Sequence, residues 1–259
     1  MSATSIEAQP RKFIYHRHSA LVRATHWINV ACIALLLVSG MAIFNAHPAL
    51  YLGAQSDFAH PLLNLGVSSP DARVLTHPFP AWLTGGLELA NGRRWHLFVV
   101  WIFVINGAVY LIASLLDEHI WHDLLPHRWQ LRPRELWITV RHHLTLKFPH
   151  QHDYNVLQKF VYLGMIFVVL PGVFLTGLSM SPGVDAIAPW LGSALGGRQT
   201  ARTLHFVFAA LIVIFIVVHV TLVVLSGLWN NMRSMITGEY EVDPEPEAEE
   251  EEEASNGSP

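Results

Sequence analysis

Four of the sixteen histidines lie within long apolar stretches of the chain: His26, His96, His205 and His219. An ionisable side chain is costly inside a bilayer and is a candidate functional residue there. A neutral imidazole is also a common ligand of metal ions and of haem iron. These histidines are therefore candidate ligands of a metal ion or a haem, provided that the segments carrying them bring them together.

The apolar stretches have the length and composition of transmembrane helices. The 259-residue chain is 52% hydrophobic and 14% charged, whereas about a quarter of the residues in soluble domains are charged. A helix needs about 20 apolar residues to cross a bilayer. Four stretches approach or reach this length: 26–44, 95–116, 156–178 and 204–228. The sequence predicts an all-α membrane protein with a four-transmembrane-helix bundle; the alternative is an unusually apolar globular core.

Lysine and arginine are unevenly distributed between the segments outside these stretches. With Lys159 at the edge of the third stretch included, one set of alternate segments holds eleven and the other five, and positive residues concentrate on the cytoplasmic side. Both termini are therefore predicted to be cytoplasmic. We expect an N-terminal segment at 1–25, a transmembrane domain at 26–230 and an acidic, disordered tail at 231–259. The N-terminus lacks the layout of a cleaved signal, so the first helix is expected to remain.

The direction of each helix places the four histidines at two depths. His26 begins the first helix on the cytoplasmic side, and His96 begins the second on the outer side. His205 lies near the outer surface, and His219 follows about 21 Å deeper on roughly the same helix face. A six-coordinate haem needs two facing imidazoles at one depth. This predicts an outer haem b between His96 and His205 and an inner one between His26 and His219.

Other roles for these histidines stay open at this stage. Hydrogen bonding between helices or a proton path would also place histidines in a membrane, but neither predicts the pairing by depth. The single cysteine, Cys32, excludes an internal disulfide, a c-type haem motif and cysteine-ligated clusters. The other twelve histidines, His47 among them, are expected to be solvated or interfacial. Four could form a metal site, although no supporting cysteine or carboxylate pattern accompanies them: His142, His143, His150 and His152.

An arginine stands three residues before three of the four histidines: Arg23, Arg93 and Arg202. Positions three apart share a helix face, and each arginine lies toward the nearer membrane surface. A guanidinium there could pair with a haem propionate, or it could simply extend into the headgroup layer.

The third stretch carries no histidine but is rich in small or helix-bending residues. Gly164, Gly172 and Gly177 would allow a neighbouring helix or a flat ring to approach its backbone closely. Pro171 predicts a kink.

Five segments resemble the membrane cytochrome b subunits of bacterial respiratory enzymes, at residues 23–29, 94–96, 154–159, 179–183 and 197–219. This cytochrome b561-like group includes subunits of thiosulfate reductase, formate dehydrogenase and nickel–iron hydrogenase. The resemblance implies a multi-pass protein of the bacterial inner membrane that exchanges electrons between membrane quinone and a partner subunit.

The resemblance also implies particular sites and partners. Asn155, Gln158 and Lys159 match a segment beside the quinone, ubiquinone or menaquinone, in the formate dehydrogenase relatives. The partner would be an extracytoplasmic catalytic or iron–sulfur subunit, such as a molybdopterin enzyme, and not nucleic acid. Apart from quinone redox chemistry, no substrate-converting site is expected. The alternatives are a stand-alone cytochrome b561-type carrier that oxidises quinol and a non-haem transporter or assembly protein.

The pairing by depth can be tested by haem content. His96→Ala and His205→Ala should each remove the outer haem and spare the inner one, because each iron loses one of its two ligands. His26→Ala and His219→Ala should do the reverse. Pyridine haemochrome assays with redox titration of the purified variants measure this, and depletion of the same haem by His26→Ala and His96→Ala would contradict the pairing.

Overall fold

The computed structural model describes residues 13–66, 77–116, 125–126, 130–134, 137, 141 and 156–242. Its strands are β1 (Phe13–His16), β2 (Ala49–Leu50), β3 (Leu63–Asn64) and β4 (Glu239–Val242). Its α-helices are α1 (Ala20–Asn45), α2 (Ala81–Thr84), α3 (Leu89–Leu116), α4 (Val156–Gly164), α5 (Leu170–Ser179), α6 (Pro182–Ile187), α7 (Pro189–Ala194), α8 (Arg198–Leu225) and α9 (Leu228–Thr237).

Within this described part of the chain, four helical segments are long and apolar enough to cross a membrane. The first span is α1, the second ends with α3, the third runs over Val156–Ser179 and the fourth is α8. They confirm the four predicted transmembrane helices. Helices α1, α3 and α8 each begin six residues before the predicted stretches, because polar turns at a helix start extend beyond the apolar part that crosses the hydrocarbon.

The chain divides into two compact units, and the larger one, Trp27–Val220, holds most of the four spans. Its first and second spans are joined by a hydrogen bond of 2.8 Å from Asn106 Nδ2 to Asn29 Oδ1. Its first and fourth spans meet where the rings of Phe44 and Phe206 lie 4.9 Å apart. Many apolar side chains remain exposed, such as Ile105 at 62%, as expected of surfaces that face lipid.

The third span is interrupted by one turn of π-helix, Met165–Val169. The turn lies just before Pro171, whose ring lacks an N–H and would crowd the preceding turn of a regular α-helix. The interruption therefore falls where the sequence predicted a kink. The predicted close approaches occur at Gly172, against Phe208, and at Gly177, against His205, whereas Gly164 has open space around it.

The loop after the first span is fastened to the start of the fourth span. The backbone N–H groups of Gln199 and Thr200 donate to Gly53 O at 3.0 and 3.2 Å. Gly53 N donates to Thr200 Oγ1 at 2.7 Å, and Thr203 Oγ1 donates to Tyr51 O at 2.6 Å. Because the first turn of a helix has spare N–H donors, the fourth span holds this loop through its own backbone.

The smaller unit, Met1–His26 with Thr221–Pro259, joins the two ends of the chain. Strands β1 and β4 pair antiparallel, with Tyr15 opposite Tyr240, and Arg17 lies 4.5 Å from the centre of the Tyr240 ring. This corrects the predicted tail, since residues 231–242 form the end of α9 and β4. Tyr240 supplies this segment with a large ring that packs in the strand pair, which the acidic composition of the tail does not indicate. Residues 243–259 lie outside the described residues.

The contact between Gly172 and Phe208 predicts a selective effect of added volume. A Cβ at Gly172 would lie 2.5 Å from Phe208 Cζ, whereas at Gly164 it would meet nothing within 4 Å. Gly172→Ala should therefore destabilise the protein by about 1–3 kcal/mol through overpacking. Gly164→Ala is the matched control and should leave the thermal unfolding midpoint of the detergent-purified protein unchanged or slightly raised. Equal losses in both variants would contradict this interpretation.

Candidate functional site

His96 of the second span and His205 of the fourth face each other in the larger unit. Their ring centroids are 6.2 Å apart and the ring planes are inclined by 63°. Both residues are partly buried. These are the two histidines that the sequence assigned to one depth, and the structure brings their rings together without direct stacking.

The Nδ1 atoms of both rings are engaged by the other two spans. His205 Nδ1 lies 2.8 Å from Val173 O, and because a carbonyl only accepts, this nitrogen carries the proton. His96 Nδ1 lies 3.0 Å from Ser39 Oγ, whose own hydroxyl donates to Leu35 O at 2.7 Å. The serine oxygen therefore accepts from His96. In both rings Nε2 therefore keeps a lone pair with which it can bind a metal, the arrangement usual for ligating histidines.

The other two histidines lie in different units. The His219 ring of the larger unit stacks on Phe215 at 5.6 Å with planes 13° apart, and Phe215 meets Tyr162 edge-on at 6.4 Å. His26 belongs to the smaller unit. The predicted pairing of His26 with His219 stays a prediction.

The three arginines have different surroundings. Arg202 donates from Nη1 to Ala49 O at 2.9 Å and from Nη2 to His47 O. Arg23 Nη1 donates to Ile236 O at 2.5 Å, while Arg93 is exposed. Two of the arginines thus hold backbone carbonyls, which the sequence analysis missed because their partners are distant along the chain. Their pairing with haem propionates stays a prediction.

His47, one of the loop histidines expected to be solvated or interfacial, is half-buried and packs against two aromatic rings. Its ring stacks on Tyr51 at 5.6 Å and meets Phe58 edge-on at 5.8 Å. Burial lowers the pKa of His47, and the nearby Arg202 guanidinium lowers this pKa further. The side chain is therefore neutral at pH 7 and adds no charge beside Arg202.

The three residues matched to a quinone segment are only partly described. Lys159 is 2% exposed, and its Nζ lies 3.4 Å from Leu125 O. Packing therefore encloses this side chain. Gln158 opens the same helix and is exposed less than Leu157, while Asn155 lies outside the described residues.

Within the described ranges, no group of three or more histidine, cysteine or acidic side chains could hold a metal ion. The cluster formed by His142, His143, His150 and His152 lies outside those ranges. Within the described chain, the facing pair of imidazoles is therefore the arrangement that carries the candidate chemistry.

Residues 17–238 match the family model described as prokaryotic cytochrome b561. A curated relative from Azospira oryzae, YedZ1, a candidate protein-methionine-sulfoxide reductase subunit, is 30% identical over 88% of this chain and 98% of its own length. The probable Ni/Fe-hydrogenase B-type cytochrome subunit of Rhodobacter capsulatus is 22% identical over 90% of this chain and 84% of its own. No solved structure matches the chain significantly.

The four spans and the family match together define a multi-pass membrane cytochrome of the b type. The chain belongs to the prokaryotic cytochrome b561 family, whose match covers nearly all of the described residues. Its cofactor is accordingly haem b, which supplies one-electron chemistry, and its class is that of membrane electron-transfer subunits of oxidoreductases. The resemblance seen in the sequence is thereby confirmed at the level of the family.

The contacts of Arg202 predict a structural effect that Arg93 does not share. Arg202→Ala leaves the carbonyls of His47 and Ala49 without their donor and should destabilise the protein by about 1–3 kcal/mol. It should also speed cleavage between residues 47 and 58 in limited proteolysis. Arg93→Ala, an exposed arginine at the same position relative to a histidine, is the control for both measurements. The same losses in Arg93→Ala would contradict the assigned contacts.

Proposed function

We propose that the protein is a dihaem b electron-transfer subunit that links membrane quinone to an extracytoplasmic oxidoreductase partner. The observation that carries the proposal is the facing pair of His96 and His205, with both Nδ1 atoms turned to neighbouring helices. His96 and His205 would hold the outer haem, and His26 and His219 the inner one. Both termini would then be cytoplasmic, in the inner membrane.

The separation of the two rings fits a metal held between them. Two imidazole–metal bonds of about 2 Å each, with about 1 Å from each nitrogen to its ring centre, separate opposed rings by about 6 Å. The observed separation is 6.2 Å. The competing role is direct hydrogen bonding between the two imidazoles. With both Nδ1 atoms protonated, each Nε2 carries only a lone pair, so the two Nε2 atoms cannot hydrogen-bond each other. The geometry therefore favours ligation.

A second haem is proposed from the fourteen-residue spacing of His205 and His219. At 1.5 Å per residue this spacing corresponds to about 21 Å along one helix face, which leaves room for two haems at different depths. The stacking of His219 on Phe215 supplies an apolar wall on one side of its ring. His26 is the remaining histidine within a span and completes the proposed inner pair.

Quinone is proposed to react near the start of the third span, beside Gln158 and Lys159, with Asn155 as a further candidate. A buried ammonium group is costly unless its donors are used. Among the described residues, Lys159 Nζ lies 3.4 Å from Leu125 O; an ammonium group carries three N–H donors, and one of them would bind a quinone carbonyl oxygen.

The partner is proposed from the names of the relatives and from the loop after the first span. The relatives are named as subunits of a methionine sulfoxide reductase and of a hydrogenase. In this chain the loop is fastened to the fourth span yet exposes Leu52, Phe58 and Leu62 at 60%, 76% and 60%. A catalytic or iron–sulfur subunit, such as a molybdopterin enzyme, would dock there. The alternative is a stand-alone cytochrome b561-type carrier, which would reduce its acceptor without a partner.

The first experiment combines haem stoichiometry with quinol reduction. The purified protein should contain two haems b per chain by pyridine haemochrome assay, and a soluble quinol should reduce them. Lys159→Gln should slow this reduction about tenfold or more, because a charged hydrogen bond contributes about 1.5–3 kcal/mol. Complete reduction of the variant by dithionite is the control for intact haems. Absence of haem from a folded, haem-supplied preparation would overturn the proposal.

A further inference from the structure

The first and third spans repeat one local pattern beside the two facing histidines. The pattern is a hydroxyl residue followed by glycine, Ser39-Gly40 in the first span and Thr176-Gly177 in the third. Neither span supplies a ligand of the His96–His205 pair. Each nevertheless presents its hydroxyl and its glycine to the imidazole of the next span along the chain.

The two hydroxyl groups contact the histidines in the same way. Ser39 is 0% exposed and Thr176 is 1% exposed. Ser39 Oγ lies 3.0 Å from His96 Nδ1, and Thr176 Oγ1 lies 3.2 Å from His205 Nδ1. Both hydroxyls lie 2.7 Å from the carbonyl four residues earlier and donate to it, so their oxygens are left to accept from the imidazoles.

The carbonyl three residues before each hydroxyl completes the match. Leu36 O lies 3.2 Å from Ser39 Oγ, and Val173 O lies 3.1 Å from Thr176 Oγ1. His205 Nδ1 also lies 2.8 Å from Val173 O, so this imidazole is held between a carbonyl oxygen and a hydroxyl oxygen. An imidazole held between a carbonyl and a hydroxyl oxygen has its tautomer fixed, with Nε2 as the ligating atom.

The glycines bring the rings against the helix backbone. A Cβ on Gly40 would lie 3.5 Å from His96 Cε1, and one on Gly177 would lie 3.0 Å from His205 Cε1. The second distance is tighter than ordinary van der Waals contact. The absence of a Cβ at residue 177 therefore allows the His205 ring to take its observed plane, and a Cβ added at residue 40 would be in van der Waals contact with the His96 ring.

We propose that Ser39 and Thr176, together with Gly40 and Gly177, are positioning residues that fix the tautomer and ring plane of His96 and His205 and thereby set the reduction potential of the haem they hold. The inference rests on the proposed function, since it concerns the iron between these two histidines. The second and fourth spans provide the ligands, and the first and third provide the groups that orient them.

The expected direction follows from the acceptor that is lost. Hydrogen bonding of Nδ1–H to an acceptor makes the imidazole a stronger electron donor, which stabilises ferric over ferrous iron. Ser39→Ala and Thr176→Val should therefore raise the midpoint potential of this haem. Each variant keeps both histidine ligands, so the haem should remain bound, and the double variant should shift further than either single one.

The test is a potentiometric titration of the full-length protein in detergent, with low-temperature electron paramagnetic resonance spectra of the ferric haems. Only the haem that is lost in His96→Ala should change its potential and its g values. Thr176→Ser restores the hydroxyl and should return both to wild type. Ser179→Ala is the matched control, since Ser179 is a buried hydroxyl on the same span that donates to Thr176 O at 2.7 Å.

The experiment distinguishes failure of the positioning role from failure of the proposed dihaem function. If the wild type binds two haems and both Ser39→Ala and Thr176→Val leave the potential and spectrum unchanged, the positioning role is wrong while the dihaem function stands. A shift of equal size in Ser179→Ala would also overturn it, because the effect would then reflect general loosening. If the wild type holds no haem that depends on His96, the proposed function is wrong, and the positioning role, which rests on it, is wrong as well.

Discussion

The absence of water from the hydrocarbon core is the constraint on which this structure depends. A polar group there must find its partner within the protein, or its burial costs several kcal/mol. His96, His205, Asn29 and Ser39 all lie on helices with that environment around them. Each has a hydrogen-bond partner on a neighbouring span, and each such bond fixes the relative depth and rotation of two helices.

Close approach between spans makes these bonds possible. Helices in a membrane associate through van der Waals packing and small residues at their contacts. A Cβ added at Gly92 would lie 3.4 Å from Ser39 O, which brings the second span onto the first just where Ser39 meets His96. On the other side, Gly172 accepts the Phe208 ring and Gly177 the His205 ring. Packing and histidine orientation are thus parts of one arrangement.

At the ends of the spans, polar groups are not restricted to partners within the protein, because water and charged groups are available there. Arg202 binds two carbonyls of the loop after the first span, and Arg233 forms ion pairs with Glu239 and Glu241 at 3.3 and 2.8 Å. Such exposed pairs contribute little individually. Arg202 orders the loop after the first span, and Arg233 orders strand β4.

The sequence by itself determined the four spans and the grouping of His96 with His205. Both depend on local quantities, the length of an apolar run and the rise and period of a helix. The tertiary structure alone decided that Arg202 holds His47 and Ala49, that packing encloses Lys159 and that Ser39 and Thr176 orient the imidazoles. These contacts join residues 29 to 155 positions apart, so they depend on how the spans pack, which no single segment of sequence encodes.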